Sequence, residues 1–173
     1  GGNVMVTVSE DLGSRSPLRD FAAECGVDFD RKGSIVMDHV KYHPSDPFSD
    51  HSLIVTDGFT QSTHVVGDAA SGAPVVFRGI GNAVDDDNIL AIRTLTGSSS
   101  TYSARPHKPV GSYPESAGKQ VGLVTSVQAR NNARVTFVGS FWMLSDDAFG
   151  YSVSGSPVGN AAFADNVAKW TFG

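Results

Sequence analysis

The sequence predicts an α/β domain with a mostly parallel sheet flanked by helices. Residues 17–25 and 161–172 carry apolar side chains at helical spacing. Between them, short apolar runs at residues 34–37, 53–56 and 74–77 read as buried strands. A third observation adds a hairpin: the apolar runs 121–127 and 133–139 flank the polar linker QARNN at residues 128–132. Strands mixed with helices in this way favour a parallel sheet covered on its faces.

Residues 3–8 open as a short apolar strand. A helix follows, with Ser16 as N-cap, Pro17 at the first helical position and Gly26 ending it. Its stripe is Leu18, Phe21, Ala22 and Cys25, which places the Cys25 thiol in the core. After the strands at 34–37, 53–56 and 74–77, Asn88 as a cap predicts a short helix over residues 88–95. Residues 96–119, rich in Gly, Ser and Pro, read as an irregular surface segment holding one short strand. Asn tolerates positive φ and bonds nearby backbone, so Asn131 and Asn132 predict the turn of the hairpin. The last helix runs over residues 161–172, with Asn160 as N-cap and Phe163, Val167 and Trp170 as its core stripe.

A chain of 173 residues fits one domain, and 40% hydrophobic with 18% charged residues is a globular composition. The formal net charge of −5 argues against a nucleic-acid partner, which needs a clustered basic face. Arg130 and Arg134, with Arg105, His107 and Lys108, are too few for one. A single cysteine, Cys25, excludes an internal disulfide and a cysteine-only zinc site. No apolar run approaches the roughly 20 residues of a membrane-spanning helix, and no signal peptide opens the chain. On their own these residues are expected to be soluble.

No residue set reads as catalytic. Ser140 ends a strand in VGSFW, but no glycine follows at the second position of a nucleophile elbow, so a tight strand exit is the better reading. Cys25 on a core stripe stays a protonated, inert thiol. His39, His43 and His51 lie near Asp38, Asp46 and Asp50. Pro44 and Pro47 oppose the helix that would align them as ligands, so a polar loop is preferred to a metal site. Asp85, Asp86 and Asp87 read as a solvated turn. The run GSSST at residues 97–101 lacks the lysine and glycine spacing of a phosphate loop. It reads as a connection, or as a hydroxyl-rich patch that bonds sugar. Gln128, Arg130, Asn131, Asn132 and Arg134 are either turn chemistry with solvated arginines or a docking tip, since arginine and planar amides make directional interface contacts.

Several segments carry one family resemblance in register. They are residues 1–30, GGNVMVTVSEDLGSRSPLRDFAAECGVDFD; 51–56, HSLIVT; 74–81, PVVFRGIG; 95–103, LTGSSSTYS; 113–119, YPESAGK; 123–140, LVTSVQARNNARVTFVGS; and 159–173, GNAAFADNVAKWTFG. This wording resembles the non-catalytic forty-eight-kilodalton (DDOST-type) subunit of the eukaryotic oligosaccharyltransferase. The resemblance implies a central lumenal fragment of a longer, membrane-anchored subunit, incomplete at the N-terminal side of its sheet. It implies a fold like that of class I glutamine amidotransferases, although their nucleophilic cysteine has no matching position here.

By the same resemblance the chain belongs to the endoplasmic reticulum membrane, with this region in the lumen. Its complex moves a preassembled oligosaccharide from dolichyl diphosphate to asparagine in Asn-x-Ser/Thr. The chain would serve assembly, without a cofactor or catalytic residues of its own. Its partners would be the multi-span catalytic subunit and ribophorin-type subunits, with lipid-linked oligosaccharide as a further candidate. Membrane anchoring would come through a segment absent from this chain. The resemblance also strengthens the docking reading of Gln128–Arg134. A second expectation is a carbohydrate-binding module that touches glycan through Ser98, Ser99, Ser100, Tyr102, Tyr113 and Trp142. A third is an amidotransferase- or hydrolase-like enzyme.

Overall fold

The computed structural model describes residues 2–68, 72–85, 87–106 and 113–173. Asp86 of the acidic run and His107 and Lys108 of the small basic group lie outside the described residues.

The elements, in chain order, are β1 (Val4–Thr7), α1 (Pro17–Glu24), β2 (Val27–Phe29), β3 (Ile35–Met37), β4 (Ile54–Thr56), β5 (Gly58–Phe59), α2 (Thr63–Val66) and β6 (Val75–Phe77). They continue with β7 (Asn82–Val84), β8 (Ala91–Thr96), β9 (Tyr102–Ala104), β10 (Gly122–Gln128), β11 (Arg134–Val138), α3 (Asp146–Phe149), β12 (Ser152–Val153), β13 (Ser156–Pro157) and α4 (Asn160–Phe172).

The α/β class holds, but the sheet is mixed and mostly antiparallel, which corrects the parallel expectation. Its spine is β1-β11-β10-β7-β2, with β8 and β5 branching from β10. Among the described strands, β1 with β11 is the parallel pair; the other pairings run antiparallel. The physical reason is the shortage of crossover helices. A parallel connection needs about a dozen residues, usually helical, whereas α2 and α3 are four residues each.

Residue alternation on β11 divides the core. Phe137 faces one side, packed with Phe21 and Phe29 at ring distances of 5.7 and 6.1 Å and with Ala22 of α1. Val138 faces the other, in a cluster with Phe163 and Val167 of α4. The sheet therefore lies between α1 and α4. Ser16 caps α1 by accepting from Leu18 N–H, and Gly26 leaves the helix at φ 76°, as the sequence predicts. Leu18 is exposed, however, and Cys25 is half-buried at the C-cap rather than within the helix.

Two other expectations fail. Residues 88–95 do not form a helix. Asn88 Oδ1 accepts from Leu90 N–H in a local turn, and the β-branched Ile92, Thr94 and Thr96 then run as β8 against β10. Asn160 is not the cap of α4 either. Gly159 holds that position, and the Asn160 amide is fully buried. The segment 96–119 holds β9 as expected, yet Ser98, Thr101 and Ser103 within it are buried.

Candidate functional site

The hairpin forms as predicted, with Val127 opposite Val135 and Gln128 opposite Arg134. Ala129 N–H donates to the Ala133 carbonyl at 2.8 Å, and Asn132 adopts φ 64°. The Asn131 Oδ1 accepts from Ala133 N–H at 3.1 Å, and Gln128 Nε2 donates to Asn132 Oδ1 at 3.3 Å. The two asparagines and Gln128 are therefore partly occupied in building the turn.

The two arginines separate. Arg134 is half-buried: its guanidinium donates to the Trp170 carbonyl and lies 5.1 Å from that indole ring. It thus satisfies the negative end of α4. Arg130 stands exposed, with no hydrogen bond or ion pair among the described residues. Of the proposed docking group, Arg130 is the side chain that the fold leaves free.

The hydroxyl-rich patch turns inward. Asp38, fully buried just after β3, accepts from Val40 and Lys41 N–H at 2.9 Å each, from Ser100 Oγ at 2.8 Å, and from Thr101 Oγ1 at 2.8 Å. Val40, Lys41 and Ser100 meet Oδ1, while Thr101 Oγ1 and Ser98 Oγ both donate to Oδ2. Burial alone would raise this carboxyl, but the Lys41, Ser98, Val40 and Ser100 donors outweigh it and hold its pKa at about 2. Ser99 is left exposed, and Tyr102 pairs its hydroxyl with His39 Nε2 at 2.8 Å.

The histidines read as a polar loop do lie in one. His39 and His51 pack with ring centroids 4.5 Å apart, and Tyr42 sits edge-on to His51 at 4.3 Å. His43 lies away from them, bonded to the Ser152 carbonyl. Among the described residues no three His, Cys, Asp or Glu side chains converge as metal ligands. Burial pushes the Cys25 thiol up and Glu24 adds to this. Ser140 is buried, and its Oγ accepts from Met143 N–H, so it closes the strand exit. Gly139 beside it has no room for a side chain: a Cβ would overlap the Ile80 carbonyl.

One feature escaped the sequence. A crevice of about 390 Å³ opens where the carboxyl ends of β1 and β11 meet, lined by Glu10, Phe48, Arg78, Phe141, Trp142 and Tyr151 among others. Arg78 bonds Glu10 at 2.8 Å and Ser52 at 3.1 Å, and lies 3.9 Å over the Phe48 ring. Trp142 packs edge-on to Tyr151 at 5.7 Å. These residues come from four distant stretches, so spacing gave no signal of their meeting. Tyr113, by contrast, is 97% exposed and apart from this crevice.

Sheet, flanking helices and surface together define a mixed α/β domain. Its fold is shared: the solved structure of the mmIFT52 N-terminal domain matches with a TM-score of 0.66 at 18% identity, covering 100% of this chain and 66% of that one. The family is shown by sequence. The family model for OST48, N-terminal domain, matches residues 1–173, and the chain belongs to that family. Similar curated proteins are each named dolichyl-diphosphooligosaccharide–protein glycosyltransferase 48 kDa subunit. The Danio rerio protein is 41% identical over 99% of this chain, the Drosophila melanogaster protein 40% over 100%, and the Arabidopsis thaliana protein 38% over 95%. The chain spans 40% of the length of each.

Proposed function

We propose that this chain is a single lumenal domain, residues 1–173, of the 48 kDa subunit of an oligosaccharyltransferase in the endoplasmic reticulum membrane. In this reading it serves assembly of the complex that transfers oligosaccharide from dolichyl diphosphate to Asn-x-Ser/Thr. The carrying observation is the family match across residues 1–173, with relatives of that name 38–41% identical. Other subunits, the multi-span catalytic one included, supply the chemistry and dock on this domain. No described helix is long and apolar enough to cross a membrane; in this reading the membrane anchor is a segment absent from this chain. The likeness to amidotransferase folds belongs to the same reading. The parallel β1–β11 pair supports it, and the antiparallel remainder of the sheet weighs against it.

The test is recovery of the tagged full-length protein from detergent-solubilised membranes. It is expected to bring peptide-glycosylating activity with it, and its depletion is expected to lower that activity. Absence of both would sink the assembly reading. Within it, Arg130→Ala combined with Asn131→Ala is expected to cut recovery of partner subunits about fivefold, the usual cost of losing a directional interface contact. Unchanged assembly would remove the hairpin tip from the interface.

A second reading, a carbohydrate-binding module, is favoured by the crevice, which joins Trp142 to three further aromatic rings and the Arg78–Glu10 pair. Titration of free oligosaccharide against intrinsic tryptophan fluorescence tests it. Phe141, 60% exposed at the crevice lip, gives the variant: Phe141→Ala should weaken binding about fivefold, since an aromatic contact is worth about 1 kcal/mol. No saturable change in the parent protein would end this reading.

A further inference from the structure

The hairpin tip has a neighbour at the same end of the sheet. Gln128 N–H donates to the Leu90 carbonyl at 3.0 Å, and the register sets Ala91 opposite Val127 and Ile92 opposite Ser126. The turn that precedes β8 therefore stands beside the tip that follows β10.

That turn presents apolar side chains to solvent. Ile89 is 92% exposed, and Leu90 and Ile92 are 37% each. Looseness is not the reason. Asp85 Oδ1 accepts from Asp87 N–H, the Asp85 carbonyl from Asn88 N–H, and Asn88 Nδ2 donates to the Cys25 carbonyl, while Leu90 N–H donates to Asn88 Oδ1, so the backbone is tied on both sides of Ile89. Beyond it, β5 pairs with Thr96 and Leu95 alone. Among the described residues no strand covers Ala91, Ile92 or Arg93 on the side away from β10. Adjacent exposed apolar side chains at an uncovered sheet edge mark an interaction surface. Exposed charges stand on both segments: Asp85 and Asp87 in the turn and Arg130 on the tip, while Arg93, next to Ile92, turns its guanidinium to the Val84 carbonyl.

We propose that this end of the sheet docks another protein subunit, with Ile89, Leu90 and Ile92 as the apolar anchor between Asp85 and Asp87 on one flank and Arg130 on the other. Charge complementarity describes the occupant. It is a segment apolar at its centre, carrying Lys or Arg where it meets the two carboxylates and Asp or Glu where it meets Arg130. An apolar centre with a charged rim is the usual build of such an interface. The carboxylates beside Ile89 oppose an anionic lipid surface. The inference rests on the assembly reading and adds to the hairpin tip the half of the surface expected to carry most of its energy.

The experiment uses the full-length protein in membranes, carrying Ile89→Asp. Recovery of partner subunits should fall about tenfold, as for loss of an interface anchor, with the thermal midpoint unmoved because Ile89 touches little of its own chain. Asp87→Lys, whose side chain takes no part in the turn's bonds among the described residues, should lower recovery as well, and Val40→Asp, at a position 74% exposed elsewhere, should not. Should Ile89→Asp shift the midpoint, a photo-crosslinking residue at position 89 takes its place, and the partner peptide captured should carry Lys or Arg beside apolar residues. If the parent protein assembles, Arg130→Ala with Asn131→Ala disrupts it and Ile89→Asp does not, the inference fails while the docking tip stands. If the parent protein recovers no partner, the assembly reading itself has failed. Ile89-dependent binding to phosphatidylserine vesicles without partner loss would also overturn it.

Discussion

Asn160→Leu is expected to lower the unfolding free energy by about 3–5 kcal/mol, because it strands three buried backbone groups at once. The Asn160 Oδ1 accepts from Val76 N–H at 2.9 Å, while Nδ2 donates to the carbonyls of Val76 and Met143 at 2.9 and 3.0 Å. Val76 lies opposite Val55 in the antiparallel β4–β6 pair, and Val55 sends its own N–H outward to the Lys41 carbonyl. Val76 likewise turns its backbone away from β4, and the Asn160 amide meets it as a missing strand would. Leucine has the same number of side-chain heavy atoms and the same branch point but offers neither donor nor acceptor, so the groups lose water without regaining a partner. Both residues are fully buried, which leaves solvent no easy route in. Urea unfolding should show a lower midpoint at an unchanged slope, and the thermal midpoint should drop by about 10 °C. A loss under about 1 kcal/mol would mean that water reaches these groups.

Asn160 also shows why part of the fold was legible in sequence and part was not. The hairpin could be read because its turn chemistry is local: Asn131 and Asn132 bond within three residues of themselves. The helices at each end could be read from Ser16, Pro17 and the Phe163–Val167 stripe for the same reason. Asn160 stood where a cap is expected, but its amide is claimed by Val76, 84 residues away, and no local pattern encodes that choice. Asn88 misled in the same way, serving a turn and the Cys25 carbonyl instead of a helix start. The strands β2 and β7 are three residues each, too short to show alternation, and they pair only with distant segments. The aromatic crevice is the extreme case. Glu10, Phe48, Arg78 and Phe141 meet through the tertiary fold alone. Family resemblance carried function further than periodicity could, because a run of residues kept in order reports ancestry even where it reports no geometry.

Asp38→Asn should cost about 2–3 kcal/mol near neutral pH, and the cost should shrink by about 2 kcal/mol as the medium is acidified. The folded state holds this carboxyl at about 2, below its ordinary value of 3.8. A carboxyl depressed on folding adds stability that is fully present above the unfolded value and is lost as pH falls through the folded one. The window is therefore from about pH 4 down to about pH 2. The amide keeps an acceptor for Val40 and Lys41 N–H but turns NH₂ toward Ser98 and Thr101, whose hydroxyls must rotate to accept. Asp30 runs the other way: burial pushes its carboxyl up, so acidification relieves a penalty there. That contribution is common to the parent and the variant and cancels in their difference. Urea midpoints for both proteins at pH 7 and pH 2.5 isolate the contribution of the Asp38 carboxylate. A gap of equal size at the two values would show that the charge on Asp38 is not what its donors stabilise, and that its value lies in shape and hydrogen-bond count alone.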